Sequence, residues 1–207
     1  MPLVPPDLQD ELARLYGEPD RHYHNLTHIQ ALLALLDRHR SRFADPDAAE
    51  AAIWFHDAIY DSQAKDNEAQ SAALAADTLA CSIAPERLAR IVRMIEATAE
   101  HRIAPDIAEH ERTDTELFLD MDLSILGAPA ERYQAYEDEI RREYSWVDDA
   151  TWKARRADFL ETFLGRSHIF STGLFRDEFE EQARRNMTAS LARLRSDARA
   201  GSRPPSV

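Results

Sequence analysis

Apolar residues recur along this chain every three to four positions, and prolines cut the recurrence into pieces of helical length. Pro5-Pro6-Asp7 opens the first piece, in which Leu8, Leu12 and Leu15 share a face until Gly17-Glu18-Pro19 stops them. A second element begins around His24 to Thr27 and runs to about Phe43, with Ile29, Leu32, Leu33 and Leu36 on its apolar side. A third spans Asp47 to about Ile59. After a short polar link from Tyr60 to Asp66, Asn67 is placed to cap a helix from Glu68 to about Ala80. Pro85 begins another, carrying Leu88, Ile91, Val92 and Ile95 on one face and closing near His101. Pro105-Asp106 restarts the chain, a helix around Asp114 to Met121 follows, and Gly127-Ala128-Pro129 breaks the pattern. Further helices are expected at roughly Ala130 to Glu143, Asp148 to Leu164 and Asp177 to Arg199, followed by a disordered tail over 201–207.

No stretch alternates strictly between apolar and polar residues, valine is scarce, and only five glycines interrupt the chain, so the expectation is an all-α, single-domain helical bundle over residues 1–200. A length of 207 residues suffices for one substantial core. The net charge of −13 argues against general affinity for nucleic acid or anionic membranes, both of which need clustered positive charge. Cys81 is the single cysteine, which excludes an internal disulfide and a thiolate cluster; it reads as a small core residue. No basic and apolar leader precedes Asp7 and no run approaches the roughly 20 apolar residues of a membrane span, so a cytoplasmic location is expected. Trp146, Trp152 and Phe159 can serve either the core or a homodimer face.

Against this background a few polar residues stand on apolar faces. Asp122 has Phe118, Leu119, Ile125 and Leu126 three and four positions away, and an unpaired buried carboxylate needs a proton, a cation or a metal to neutralise it. His56-Asp57 follows Ala49, Ala52 and Ile53, and His28 opens the run through Ile29, Leu32, Leu33 and Leu36. Together His28, His56, Asp57 and Asp122 offer two imidazoles and two carboxylates, a shell suited to one divalent Mn, Fe, Co, Ni, Zn or Mg ion. His56 and Asp57 diverge by about 100° on an ideal helix, so sharing one ion places them near a helix end or a loosened last turn. The competing account of Asp122 is a salt bridge to one of the many arginines, and of His28 a hydrogen-bonded core histidine.

An isolated His, an adjacent His-Asp pair and a distant Asp on successive helices resemble the HD-domain superfamily of metal-dependent phosphohydrolases. Arg21-His22-Tyr23-His24-Asn25-Leu26-Thr27-His28, Trp54-Phe55-His56-Asp57-Ala58-Ile59-Tyr60, Asn67-Glu68 with Ser71-Ala72, and the run from Phe118 to Gly127 resemble a little-characterised bacterial branch of it, over residues of about 16 to 190. The resemblance implies a helical bundle with metal ligands His28, His56, Asp57 and Asp122; His28 is preferred to His24 because the superfamily uses the second histidine of an H-x-x-x-H segment. It also implies hydrolysis of a small phosphorylated substrate, a nucleotide being one possibility, by metal-activated water. Asp57 or Glu68 is then the proton acceptor, and Arg21 or Lys65 the cation facing the developing charge; Lys65 stands out because the chain has only one other lysine, Lys153.

The same resemblance leaves His101 either on the surface or widening the site or contacting substrate. Asp120, two residues from Asp122, points to a different helical face near Glu116 and Ser124, either behind the site or facing solvent. A different class of function is open to the same residues: an HD-like bundle that keeps the ion, or a nucleotide, for regulation without turnover. A metal-free interaction bundle is the third class.

Overall fold

The computed structural model describes residues 2–103 and 107–201, and among them every regular element is a helix with no strand. Of the tail expected over 201–207, Gly201 instead ends the last helix and 202–207 lie outside the described residues, as does the restart at Pro105-Asp106. The chain falls into two compact units, Met1–Asp122 and Leu123–Val207, where composition along the sequence marks no boundary.

The first unit holds α1 (Pro6–Leu15), α2 (Leu26–His39), α3 (Pro46–Phe55), α4 (Asn67–Leu79), α5 (Pro85–Ala97) and most of α6 (Glu109–Leu123). Prolines stand at the first turns of α1, α3 and α5, where the missing N–H costs nothing and the fixed φ favours the helix. Asn25 caps α2 through Thr27 N, and Asp45 caps α3 through Ala48 N. α3 is the centre of the unit: Ala48, Ala49, Ala51, Ala52, Ile53 and Phe55 are fully buried, so the helix is enclosed by neighbours rather than striped. Its alanines let α2 and α5 pack against it.

Two boundaries differ from the sequence expectation in ways that shape the site. The third helix stops at Phe55 instead of reaching Ile59, leaving His56 as its C-cap and Asp57 in the following turn. The α5 helix ends at Ala97 rather than at His101. Asn67 does not cap α4. It is the first helical residue, and its side chain instead accepts from Asp61 N at 3.0 Å and donates to Asp61 O at 2.9 Å. Cys81 is exposed, not buried, because the apolar face of α4 ends at Leu79 and the chain turns through solvent to reach Pro85.

Asp114 sets the relative position of α3 and α6. Its fully buried carboxylate accepts from Ala44 N at 2.8 Å and Asp45 N at 2.9 Å, the two amides that lead into α3. Eight residues later, or about 12 Å of helix, α6 delivers Asp122 to within 3.7 Å of His56 at the other end of α3. The two helices therefore run parallel, with Asp114 anchoring one end and the polar cluster occupying the other. Asp114→Ala removes the partner of two buried amides and is expected to cost about 2–4 kcal/mol, measured as a lower urea midpoint with unchanged slope.

The second unit contains a 3₁₀ turn Ser124–Gly127, α7 (Ala130–Glu143), α8 (Asp149–Leu164), the short α9 (Gly173–Phe175), a π-helical stretch Arg176–Glu180 and α10 (Glu181–Gly201). The long C-terminal helix α10 packs on α8 and on the 3₁₀ turn, as its amphipathic sequence suggests. A side chain at Gly127 would stand 2.6 Å from Phe179 Cβ, which is why this position has none. Asn186 then closes the turn by donating to Leu126 O and Ala128 O. Inside the unit Arg156 meets Glu137 through both Nε and Nη2, Ser190 donates to the other Glu137 oxygen at 2.6 Å, and the guanidinium lies 4.6 Å from the Phe159 ring centre. Trp146, by contrast, is half exposed.

Candidate metal centre

The cluster forms where three segments of the first unit end together. His28 comes from the first turn of α2, His56 from the C-cap of α3, Asp57 from the turn that follows it, and Asp122 from the last turn of α6. Their inward atoms are close. His28 Nε2 lies 3.3 Å from His56 Nε2, 3.1 Å from Asp122 Oδ1 and 3.7 Å from Asp57 Oδ2. His56 Nε2 lies 3.0 Å from Asp57 Oδ2 and 3.7 Å from Asp122 Oδ1. Around a divalent ion with bonds of about 2.1 Å, neighbouring ligand atoms stand about 3.0 Å apart in an octahedron and about 3.4 Å in a tetrahedron. His28, His56 and Asp122 form a group that can hold a metal ion, with one ligand atom from each lying within 4.8 Å of the others.

The donor chemistry suits a cation as well as the spacing does. His56 Nδ1 is 2.9 Å from Ile53 O, a bond that places a proton on Nδ1 and turns Nε2 toward the cluster, where its lone pair is freed once a cation displaces the second proton. His56 is essentially fully buried and packs edge-on against Phe118, while His28 packs against Tyr23 at 4.9 Å between ring centres. The carboxylates remain reachable, with Asp57 and Asp122 side chains 16% and 13% exposed. Burial would lower the pKa of His56, yet Asp57 and Asp122 outweigh it and push it up to about 9. Burial opposes ionisation of both carboxylates, but the imidazoles hold them well below the usual range: His56 first for Asp57, His101 and His28 first for Asp122. Negative charge is thus fixed in the cluster at neutral pH, and a proton or a divalent cation balances it.

The surrounding residues hold the cluster in place. Arg21, 7% exposed, donates to Asp57 O at 2.6 Å, Ala58 O at 2.8 Å and His24 O at 3.3 Å, while its Nε donates to Glu18. One guanidinium therefore ties the segment before α2 to the turn after α3. This is a different task from the one the sequence suggested for Arg21, because most of its donors are spent on carbonyls. Ser71 secures the far side of the turn, accepting from Ile59 N at 3.0 Å and donating to Ile59 O at 3.2 Å. Ser71 and Asn67, both part of the resemblance, thus shape the link from Ile59 to Asp66.

The remaining expected residues are dispersed. Lys65 is exposed in that link and Glu68 is half buried at the start of α4; neither hydrogen-bonds or ion-pairs with the cluster among the described residues. His24 stacks on Tyr60 at 4.2 Å between ring centres and adds to the positive field on Asp57. Asp120 is buried, not turned to solvent.

His101 joins the cluster edge, its Nε2 2.8 Å from Asp122 Oδ2. Asp114 was missed as a fold-setting residue although its sequence signal matched that of Asp122: Leu117, Phe118 and Met121 stand three, four and seven positions on. No helix among the described residues is long and apolar enough to cross a membrane. In comparisons with known proteins, no family model, no curated protein and no solved structure matches the chain.

Proposed function

We propose that this chain is a metal-dependent phosphohydrolase of the HD type, acting on a small phosphate ester or a nucleotide. The observation that carries the proposal is the convergence of His28 Nε2, His56 Nε2, Asp57 Oδ2 and Asp122 Oδ1, with the tautomer of His56 set by Ile53 O. These four residues would hold the cation. When bound, a divalent ion supplies Lewis acidity, making water more acidic and polarising a phosphoryl oxygen.

The chain's own residues supply the rest. His56 and His28 close the buried side of the site, so substrate approaches from the carboxylate side. Asp57, partly exposed and bonded to His56, is the proton acceptor nearest the cluster, and Arg21 fixes its backbone through the carbonyl of the same residue. Glu68 fills the acceptor role only if the link from Tyr60 to Asp66 moves it inward.

A second reading draws on one specific observation: Arg21 is committed to carbonyls and Glu18, and Lys65 is exposed with no ion pair to the cluster among the described residues. An HD-like bundle that binds a metal or nucleotide for regulation needs no such group. Phosphate release from a panel of nucleotides and sugar phosphates, with each divalent metal supplied in turn, separates the two. Turnover that depends on one metal and disappears in Asp57→Ala supports the hydrolase; saturable nucleotide binding without phosphate release supports the regulatory bundle.

A further inference from the structure

Among the described residues, His101 is the one with a left-handed backbone, φ 47°. Its place explains the angle. Arg102 N donates to Ala97 O at 3.3 Å, the six-to-one bond that closes a helix end with the intervening residue left-handed. Glycine ordinarily fills that position because a β-carbon is strained there, and no glycine occurs between Gly17 and Gly127. A histidine therefore stands where the backbone suits glycine better, and such an outlier points to what the side chain does.

The imidazole reaches from the end of α5 to the last turn of α6, its Nε2 2.8 Å from Asp122 Oδ2. The other oxygen of the same carboxylate, Oδ1, faces His28 Nε2 at 3.1 Å and His56 Nε2 at 3.7 Å. One carboxylate oxygen is thus tethered and its partner is aimed between the two histidines. We infer that His101 is a positioning residue for the cation site: by donating its Nε2–H to Asp122 Oδ2 it fixes the carboxylate so that Oδ1 remains directed at the ion. The inference rests on the cation reading of the cluster and extends it to a residue outside the ligand set. A bond of this kind raises the basicity of the ligand and removes its freedom to rotate away.

The test is cobalt(II) affinity of the full chain, measured by competition with a chromophoric chelator, together with a count of coordinated imidazoles by X-ray absorption. His101→Gly suits the backbone, so folding is spared while the donor is lost; His101→Gln restores an N–H at similar reach. The expected result is cobalt binding weakened about 10–100-fold in the glycine variant, substantially recovered in the glutamine variant, with the same number of imidazoles on the metal in all three proteins. Wild-type affinity in His101→Gly overturns the inference and leaves the cation site standing. Loss of one imidazole from the metal in that variant also overturns it, by making His101 a ligand. No cobalt binding by the wild-type chain brings down the cation reading and the inference with it.

Discussion

Asp57→Ala is expected to lower divalent-cation affinity by more than about 100-fold and to reduce phosphate release to the level of a metal-only control. The size follows from what Asp57 touches. Its Oδ2 contacts both imidazoles, at 3.0 Å from His56 and 3.7 Å from His28, so under the proposed cation reading its loss removes one of four donors and one of the cluster's two carboxylates together. Changing a group one shell further out already costs about 10–100-fold in metal affinity, and a ligand costs more. The fold should survive. Without Asp57 the high pKa of His56 falls back, and the neutral ring keeps its bond to Ile53 O, so no buried charge is stranded. A wild-type circular dichroism spectrum and an unfolding midpoint lowered only by the lost Asp57–His56 pairing, alongside lost binding, are the expected pair of results. A globally unfolded variant would show instead that the cluster holds the protein together.

The second large effect lies in the other unit. Glu137→Gln leaves the Arg156 guanidinium, 7% exposed, without its counter-charge, and breaking one side of a buried pair typically costs about 3–5 kcal/mol. The unfolding midpoint is expected to fall by roughly 10 °C. Adding Arg156→Met should return most of that loss, since an apolar side chain can occupy the space beside Phe159 and Tyr136 without a charge to satisfy.

The same pair fixes the direction of a pH effect. Burial alone would raise the Glu137 carboxyl, but Arg156 outweighs it and holds the pKa below the ordinary 4.5. A depressed carboxylate contributes stability that is complete above its unfolded pKa and is lost as pH falls through the folded one. Denaturation midpoints measured from pH 6 downward should therefore drop for wild type below about 4.5, and drop less steeply for Glu137→Gln.

Much of this architecture is legible in the sequence for reasons tied to single residues. Pro6, Pro46 and Pro85 mark helix starts because they suit a first turn and little else. Asp122 and His28 are conspicuous because polar groups interrupt apolar faces. The pair His56-Asp57 could meet one ion only near a helix end, and α3 does stop at Phe55.

Other features depend on contacts between residues far apart in the chain. Nothing local announces that Arg21 will spend its donors on the carbonyls of Asp57 and Ala58, or that Asp114 will hold the amides of Ala44 and Asp45. Backbone acceptors carry no sequence signature, so a charged residue that serves them looks like a solvent-facing or catalytic one. Asn67 illustrates the same ambiguity: an Asn before a helix reads as a cap, while here it bonds six residues back, to Asp61. His101 is the reverse case, since only the backbone angle reveals that its position is suited to glycine.

The most direct measurement is elemental analysis of the natively purified chain, combined with calorimetric titration of the chelator-treated protein with Mn, Fe, Co, Ni, Zn and Mg. Shared coordination by His28, His56, Asp57 and Asp122 predicts about one equivalent of a single divalent metal per chain, lost in both His56→Ala and Asp122→Ala. A metal-free protein that binds none of these ions, or one whose metal content is unchanged by both substitutions, contradicts it.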